Sequence, residues 1–240
     1  MAELAKATAL ILKTIKLKES DLIVTALTRE AGRLSFLAKG ARGGRSRFSA
    51  ALGLLSLSEL VYYDRRQLKL LSQADLLQSY PKLKRNYEHL QLAFRAARLL
   101  LKLLPEGGGD RASFELCAEL LAYLDGQPLP AGSLARGELA FKLKLARVLG
   151  VAPRLDRCAG CGAPLNRPIH FSVARGGVIG PECQGRPPQG TPLAPGEAKG
   201  LQMALLLPFD KLERLKLPAQ LVAQAQTMIE RFLAYHLRPL

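Results

Sequence analysis

Three of the four cysteines in this 240-residue chain, Cys158, Cys161 and Cys183, fall in one short stretch. Cys158-Ala-Gly-Cys161-Gly162 has the spacing of a metal knuckle, in which two thiolates reach one ion and the following glycine permits a tight turn. A four-cysteine ribbon needs a second pair about 15–20 residues further on. That pair would fall at 180 and 183, where the sequence reads Gly180-Pro-Glu-Cys183. His170 lies between the halves and is the candidate fourth ligand of a Cys₃His zinc site. Cys117 is the other thiol, but beside Phe114 and Leu121 it sits on an apolar helical face, as an inert buried cysteine does. Two readings of the stretch stay open: a bound zinc, which is favoured, and a ribbon that keeps its fold without metal. A catalytic zinc has less support, because no His-x-Glu acid/base motif accompanies the cysteines.

The second chemical signal is Lys39-Gly-Ala-Arg42-Gly-Gly-Arg45-Ser-Arg47-Phe48. With Arg33, these cations occupy the span from Ala31 to Ser58, which contains no Asp or Glu. Glycines let backbone amides approach phosphates, and arginine forks bind phosphate oxygens in pairs. No Gly-Lys-Ser/Thr follows, so the tract is not a nucleotide-binding P-loop. Arg33, Lys39, Arg42, Arg45 and Arg47 are the candidate nucleic-acid contacts. Phe36, Phe48, Tyr62 and Tyr63 are the aromatic residues available to stack bases, and the chain has no Trp. Such a surface would bind mainly through phosphates, with weak sequence preference and steep salt dependence. Lys82, Lys84 and Arg85, with Lys142, Lys144 and Arg147, could extend the path, although a solvated helical face explains each triplet better.

Strands must position the basic tract. Alternation and β-rich composition predict five of them, near 9–17, 22–27, 33–39, 54–63 and 67–77, with Leu55, Leu57, Glu59, Val61 and Tyr63 sharing one side of the fourth. Five short strands with a long Gly/Arg connection between the third and fourth suggest a closed barrel of the OB type, whose faces and loops suit oligonucleotides. After Pro81 the apolar period becomes helical. Helices are expected over 83–104, from about Asp110 to 124, over 134–149, near 197–207 and over 218–237. The expected architecture is therefore α+β: an OB-type nucleic-acid-binding domain at 1–80 and an all-α domain at 81–240, with a zinc-ribbon-like insert at about 151–190.

Composition narrows the partners. The net charge is +15, of which +6 lies in residues 1–80, +4 in 81–150, +3 in 151–190 and +2 in 191–240. A field of this sign attracts polyanions. No signal peptide or apolar span of membrane length is present, which argues for a cytoplasmic protein with no membrane partner. Histidines 89, 170 and 236 are far apart, no hydrolase or acidic Mg²⁺ motif occurs, and no enzymatic activity is expected.

Gly32-Arg-Leu-Ser-Phe-Leu-Ala-Lys-Gly-Ala-Arg42, Arg45-Ser-Arg-Phe-Ser-Ala-Ala51, Glu59-Leu-Val-Tyr-Tyr63, the Cys158/Cys161 knuckle, Gly176-Gly177 and Pro181-Glu-Cys183 together resemble the bacterial recombination mediator family RecO, in a Deinococcus-type form. The resemblance spans essentially the whole chain. It implies a non-enzymatic protein of recombinational DNA repair, in the RecF pathway, with an N-terminal OB fold, a helical C-terminal domain and, in many members, a zinc ribbon. It further implies binding to single- and double-stranded DNA, annealing of complementary strands, and contacts with single-strand-binding protein and RecR during recombinase loading. A nucleoid-associated cytoplasmic location follows from that role. Gly180 departs from the cysteine that zinc-containing members carry there. The competing reading is an RNA-binding OB and zinc-ribbon protein of translation or ribosome assembly.

Overall fold

Strands β1 (Leu4–Leu17), β2 (Asp21–Thr28), β3 (Gly32–Ala38), β4 (Leu57–Tyr63) and β5 (Lys69–Gln78) form a closed barrel in the order β1-β2-β3-β5-β4, with β4 returning to β1. This computed structural model describes residues 3–43, 48–64, 68–108, 111–126, 129–165, 169–185 and 190–237. All pairings are antiparallel except β3 with β5, where Phe36 faces Lys69 and Leu37 faces Leu70. Closure removes the exposed edges a five-stranded sheet would otherwise present. The long β1 serves two neighbours, β4 through Leu4–Leu10 and β2 through Ala9–Leu17, and its register slips between Ile11 and Lys13. A bulge there bends the strand so that it can change partner.

Period-2 alternation fills the barrel. In β3, Leu34, Phe36 and Ala38 are buried while Arg33, Ser35 and Leu37 are half-buried on the other face. In β4 the core face is Ser58, Leu60 and Tyr62, so the set Leu57, Glu59, Val61 and Tyr63 points away from the interior. Ser58 is tolerated inside because its hydroxyl donates to Ala51 O at 2.6 Å. Phe48 and Leu52, from the connection between β3 and β4, pack into the same core.

Helices α1 (Pro81–Arg85), α2 (Tyr87–Leu103) and α3 (Arg111–Asp125) follow. One continuous helix was expected over 83–104, but Asn86 interrupts it. Its side chain accepts from Glu88 N and His89 N, which caps α2 and ends α1. Asp110, where the next helix is expected to begin, lies outside the described residues. By packing, the chain divides into Met1–Gln127 and Pro128–Leu240. The first unit holds the barrel with α1–α3. Arg33 N donates to Gly108 O and Gly107 N to Arg33 O, which joins the start of β3 to the segment after α2.

The second unit contains α4 (Ser133–Val148), α5 (Pro195–Leu206) and α6 (Ala219–His236), with a three-stranded sheet ordered β7-β6-β8: Gly177–Ile179, Ile169–Ser172 and Thr191–Leu193. Strands β6 and β7 fall within the insert expected at about 151–190, and β8 follows it directly. Phe171 of β6 meets Phe232 of α6 edge-on at 5.8 Å between centroids. Between α4 and α6, the buried Lys142 Nζ lies 3.1 Å from Glu138 and 2.6 Å from both Glu230 and Gln226. Among the described residues, no helix is long and apolar enough to cross a membrane.

Candidate metal centre and nucleic-acid interface

The Cys158–Cys161 turn is built by its glycines. Cys158 N donates to Ala163 O and Gly162 N to Cys158 O, closing a loop in which Gly162 has φ of 77°. Gly160 lies so close to the next cysteine that a Cβ there would stand 2.9 Å from Cys183 Sγ. Cys183 arrives on a short 3₁₀ turn, Pro181–Cys183, directly after β7. As a result the sulfur atoms of Cys158, Cys161 and Cys183 all lie within 4.8 Å of one another. Zinc–thiolate bonds of about 2.3 Å put the sulfurs of a tetrahedral site about 3.8 Å apart, so the cluster fits a thiolate-bound metal.

The electrostatics suit metal binding. Cys158 is buried, which by itself raises a thiol pKa, yet backbone N–H groups of Cys161, Gly180 and Gly160 outweigh burial and bring it down to about 6. Two of these donors, Gly160 N and Gly180 N, stand 3.4 Å from its sulfur. Cys183 is pushed up to about 11, first because it hydrogen-bonds Cys161 and then Cys158, and so holds its proton when no ion is bound.

His170 is not brought to this cluster. Ile169, its neighbour on β6, lines the cavity of about 220 Å³ beside the thiols, together with Pro164, Leu165 and Gly180. Successive strand residues point to opposite faces, so His170 points away. Among the described residues, its buried Nδ1 meets no hydrogen-bond partner. Among the described residues, no imidazole or carboxylate joins the three sulfurs. Cys117, as expected, is isolated and buried, and burial drives its pKa to about 12.

The basic residues separate into two groups. Arg33 Nη1 donates to Leu101 O at 2.7 Å, and its Nε stands 3.8 Å from Glu106, so its guanidinium is occupied at the C-terminal end of α2. Lys39 and Arg42 lie beyond the opposite end of β3, about 20 Å away at strand rise. Both are exposed. Arg42 N donates to Ser20 O, and Arg42 Nη1 to Lys18 O and Glu19 O, while Gly40 N donates to Asp21 Oδ1. The carboxyl of Asp21 is held below its ordinary range, mainly by the Gly40 N–H and also by the charges of Lys18 and Lys39. The β1–β2 turn therefore brings the exposed Lys16 and Lys18 beside Lys39 and Arg42. Arg45 and Arg47 lie outside the described residues.

Three of the four aromatics considered for stacking are core: Phe36, Phe48 and Tyr62 are at most 5% exposed, and Phe36 and Tyr62 meet edge-on at 5.1 Å. Tyr63 is 40% exposed. Of the possible path extensions, Lys142 is buried in its ionic cluster and Lys84 donates to Ser56 Oγ at 2.8 Å, so neither belongs to a solvated face.

Comparison with known proteins assigns this arrangement. Residues 1–80 match the family model for the N-terminal part of recombination protein O, and residues 85–240 match that for its C-terminal part. The chain belongs to the RecO family. A curated RecO relative, the "DNA repair protein RecO" of Rubrobacter xylanophilus, is 35% identical over 208 residues, covering 86% of this chain and 82% of that protein. The protein of the same name from Pelotomaculum thermopropionicum is 30% identical over 235 residues, covering 98% and 90%. That of Anaeromyxobacter dehalogenans is 35% identical over 204 residues, covering 82% and 77%. These matches bear on the RecO family and not on a Deinococcus type within it. In this RecO chain, sequence reasoning missed Gly160, whose signal was its place between two cysteines, and Lys16 and Lys18. The lysines carry no local signal; only the OB strand order brings the β1–β2 turn to the tract that follows β3.

Proposed function

We propose that this RecO-family chain acts in recombinational DNA repair as a non-enzymatic mediator. It binds single- and double-stranded DNA mainly through phosphates, anneals complementary strands, and with RecR helps load recombinase onto strands covered by single-strand-binding protein. Work on the chromosome would make it a cytoplasmic, nucleoid-associated protein. The observation that carries the reading is the convergence of Lys16, Lys18, Lys39 and Arg42 at the β1–β2 end of an OB-type barrel. That loop is one with which OB folds bind oligonucleotides. Residues 1–80 supply this DNA-binding module, with Arg45 and Arg47 continuing the tract. Three of the four candidate aromatics are buried, so base stacking contributes little and sequence preference is weak. Two strands repel through their phosphates, and a cationic surface that holds both lowers this barrier while leaving the base edges free to pair.

The three thiols would hold zinc, which would tie the knuckle to the end of β7. The DNA reading is tested by replacing Arg42, Arg45 and Arg47 together with Ala. The slope of log affinity against log salt for single strands should flatten by roughly 0.7 per lost contact, about 2 for all three. Annealing of complementary strands, bare or coated with single-strand-binding protein, should slow in parallel. An unchanged slope with unchanged annealing would refute the assignment, and a preference for RNA without annealing would favour a translational role.

A further inference from the structure

The metal site of this chain has three corners built and one left open. Gly180 stands where a fourth cysteine would complete a ribbon. Its backbone, at φ −77° and ψ 168°, is ordinary extended chain that any residue adopts. A Cβ at Gly180 would meet no heavy atom within 4 Å, and Gly180 lines the 220 Å³ cavity beside the sulfurs. Among the described residues, no further His, Cys, Asp or Glu has a ligand atom within 4.8 Å of all three sulfurs, and the one carboxylate that lines the cavity is Glu182. The segments of 128–240 outside the described residues, Pro128, 166–168, 186–189 and 238–240, contain no Cys, His, Asp or Glu side chain.

Structural zinc sites are closed by four protein ligands, whereas sites that exchange a ligand keep a position for an outside donor. Here the open corner faces a small cavity whose lining includes the apolar Pro164, Leu165 and Ile169 and one carboxylate, Glu182. Three soft thiolates select a soft ion and a soft fourth donor. The apolar wall favours a donor with a short hydrocarbon stem over a bare anion, and the volume is below that of an ordinary drug-sized pocket. We propose that the Cys158–Cys161–Cys183 centre is an open, three-thiolate site whose fourth ligand is a small-molecule thiol that enters and leaves through the cavity at Gly180. The thiol binds as its thiolate, gives its proton to solvent and displaces water, with no change in oxidation state. The N–H groups of Gly160 and Gly180 that already point at Cys158 Sγ, and the +3 charge of residues 151–190, offset the negative charge this gathers.

This inference concerns the metal site alone and stands apart from the DNA reading. The test uses the full chain loaded with cobalt(II), whose ligand-field and thiolate charge-transfer bands report the donor set, and 2-mercaptoethanol as the thiol probe. Wild-type protein should take up about one ion per chain, and its bands should shift saturably as the probe is added. Gly180→Cys should show the four-thiolate spectrum without the probe and no response to it, and its zinc should resist a chelator at least about 10-fold better. Gly180→Ala should keep the wild-type response, because it adds no donor. A wild-type spectrum indifferent to the thiol, failure to bind cobalt, or a Gly180→Cys response equal to wild type would each overturn the proposal. The wild-type titration decides the matter even if a variant fails to fold.

Discussion

Replacing Arg33 with Ala separates the cations that hold the first unit together from those proposed to contact DNA. Arg33 Nη1 donates to Leu101 O at 2.7 Å, in the last turn of α2, where carbonyls have no partner within the helix. A charged donor to a carbonyl contributes about 1.5–3 kcal/mol. The side chain is 20% exposed, so solvent screens this bond little. The Glu106 contact at 3.8 Å is longer and Glu106 is 46% exposed, so it adds at most about 0.5 kcal/mol. The backbone bonds of residue 33 to Gly107 and Gly108 survive the change. The expected loss is therefore about 2 kcal/mol, or a Tm lower by roughly 4–8 °C for a chain of this length. Binding to single-stranded DNA, measured from low to moderate salt, should keep its slope. Lys39→Ala, at the other end of β3, should do the reverse, leaving Tm within about 1 °C and flattening the slope by roughly 0.7. If Arg33→Ala melted like wild type and lost slope, the DNA path would run over the α2 end of the barrel and the division drawn here would be wrong.

Other consequences are open to measurement. Lys142→Ala removes the buried ammonium that lies 3.1 Å from Glu138 and 2.6 Å from Glu230, and should cost about 3 kcal/mol in urea unfolding, whereas pairing Lys142→Met with Glu138→Gln should recover part of that loss. DNA affinity should be unchanged in both variants. Cys117 should resist iodoacetamide in the native protein and react only on unfolding. Its pKa is raised from 9.0 to about 12, so the unfolded chain ionises first: the stability it contributes is complete below pH 9 and is lost as pH rises towards 12. Cys117→Ala should remove that part of the alkaline decline, and an identical decline would contradict it.

Much of this was legible in the sequence because it rests on local chemistry. The strands of the barrel announce themselves by alternation, and the knuckle by its cysteine and glycine spacing. The face of β4 was not legible, because Ser58 and Tyr62 are polar by type and become core only through a hydroxyl bond to Ala51 O and an edge-on contact with Phe36. Asn86 was hidden inside a helical period that continues on both sides of it. His170 looked like a ligand by position, and strand parity turned it away. Lys16 and Lys18 needed the register of β1 on β2 and of β2 on β3 before they could be seen beside Lys39 and Arg42.

The joining of β3 to the segment after α2 bears on how the chain can be cut. The family models meet between residues 80 and 85, a seam drawn by descent. The seam drawn by packing lies at 127 and 128. Three helices separate the two. A fragment ending at residue 80 would carry the whole barrel and most of its cationic tract, yet leave the N–H and C=O of Arg33 without Gly108 and Gly107, and its guanidinium without Leu101. A fragment ending at 127 keeps every one of those bonds. The inherited module and the packed unit are thus different lengths of the same chain, and a portable piece for testing the proposed DNA binding should be taken at the longer one.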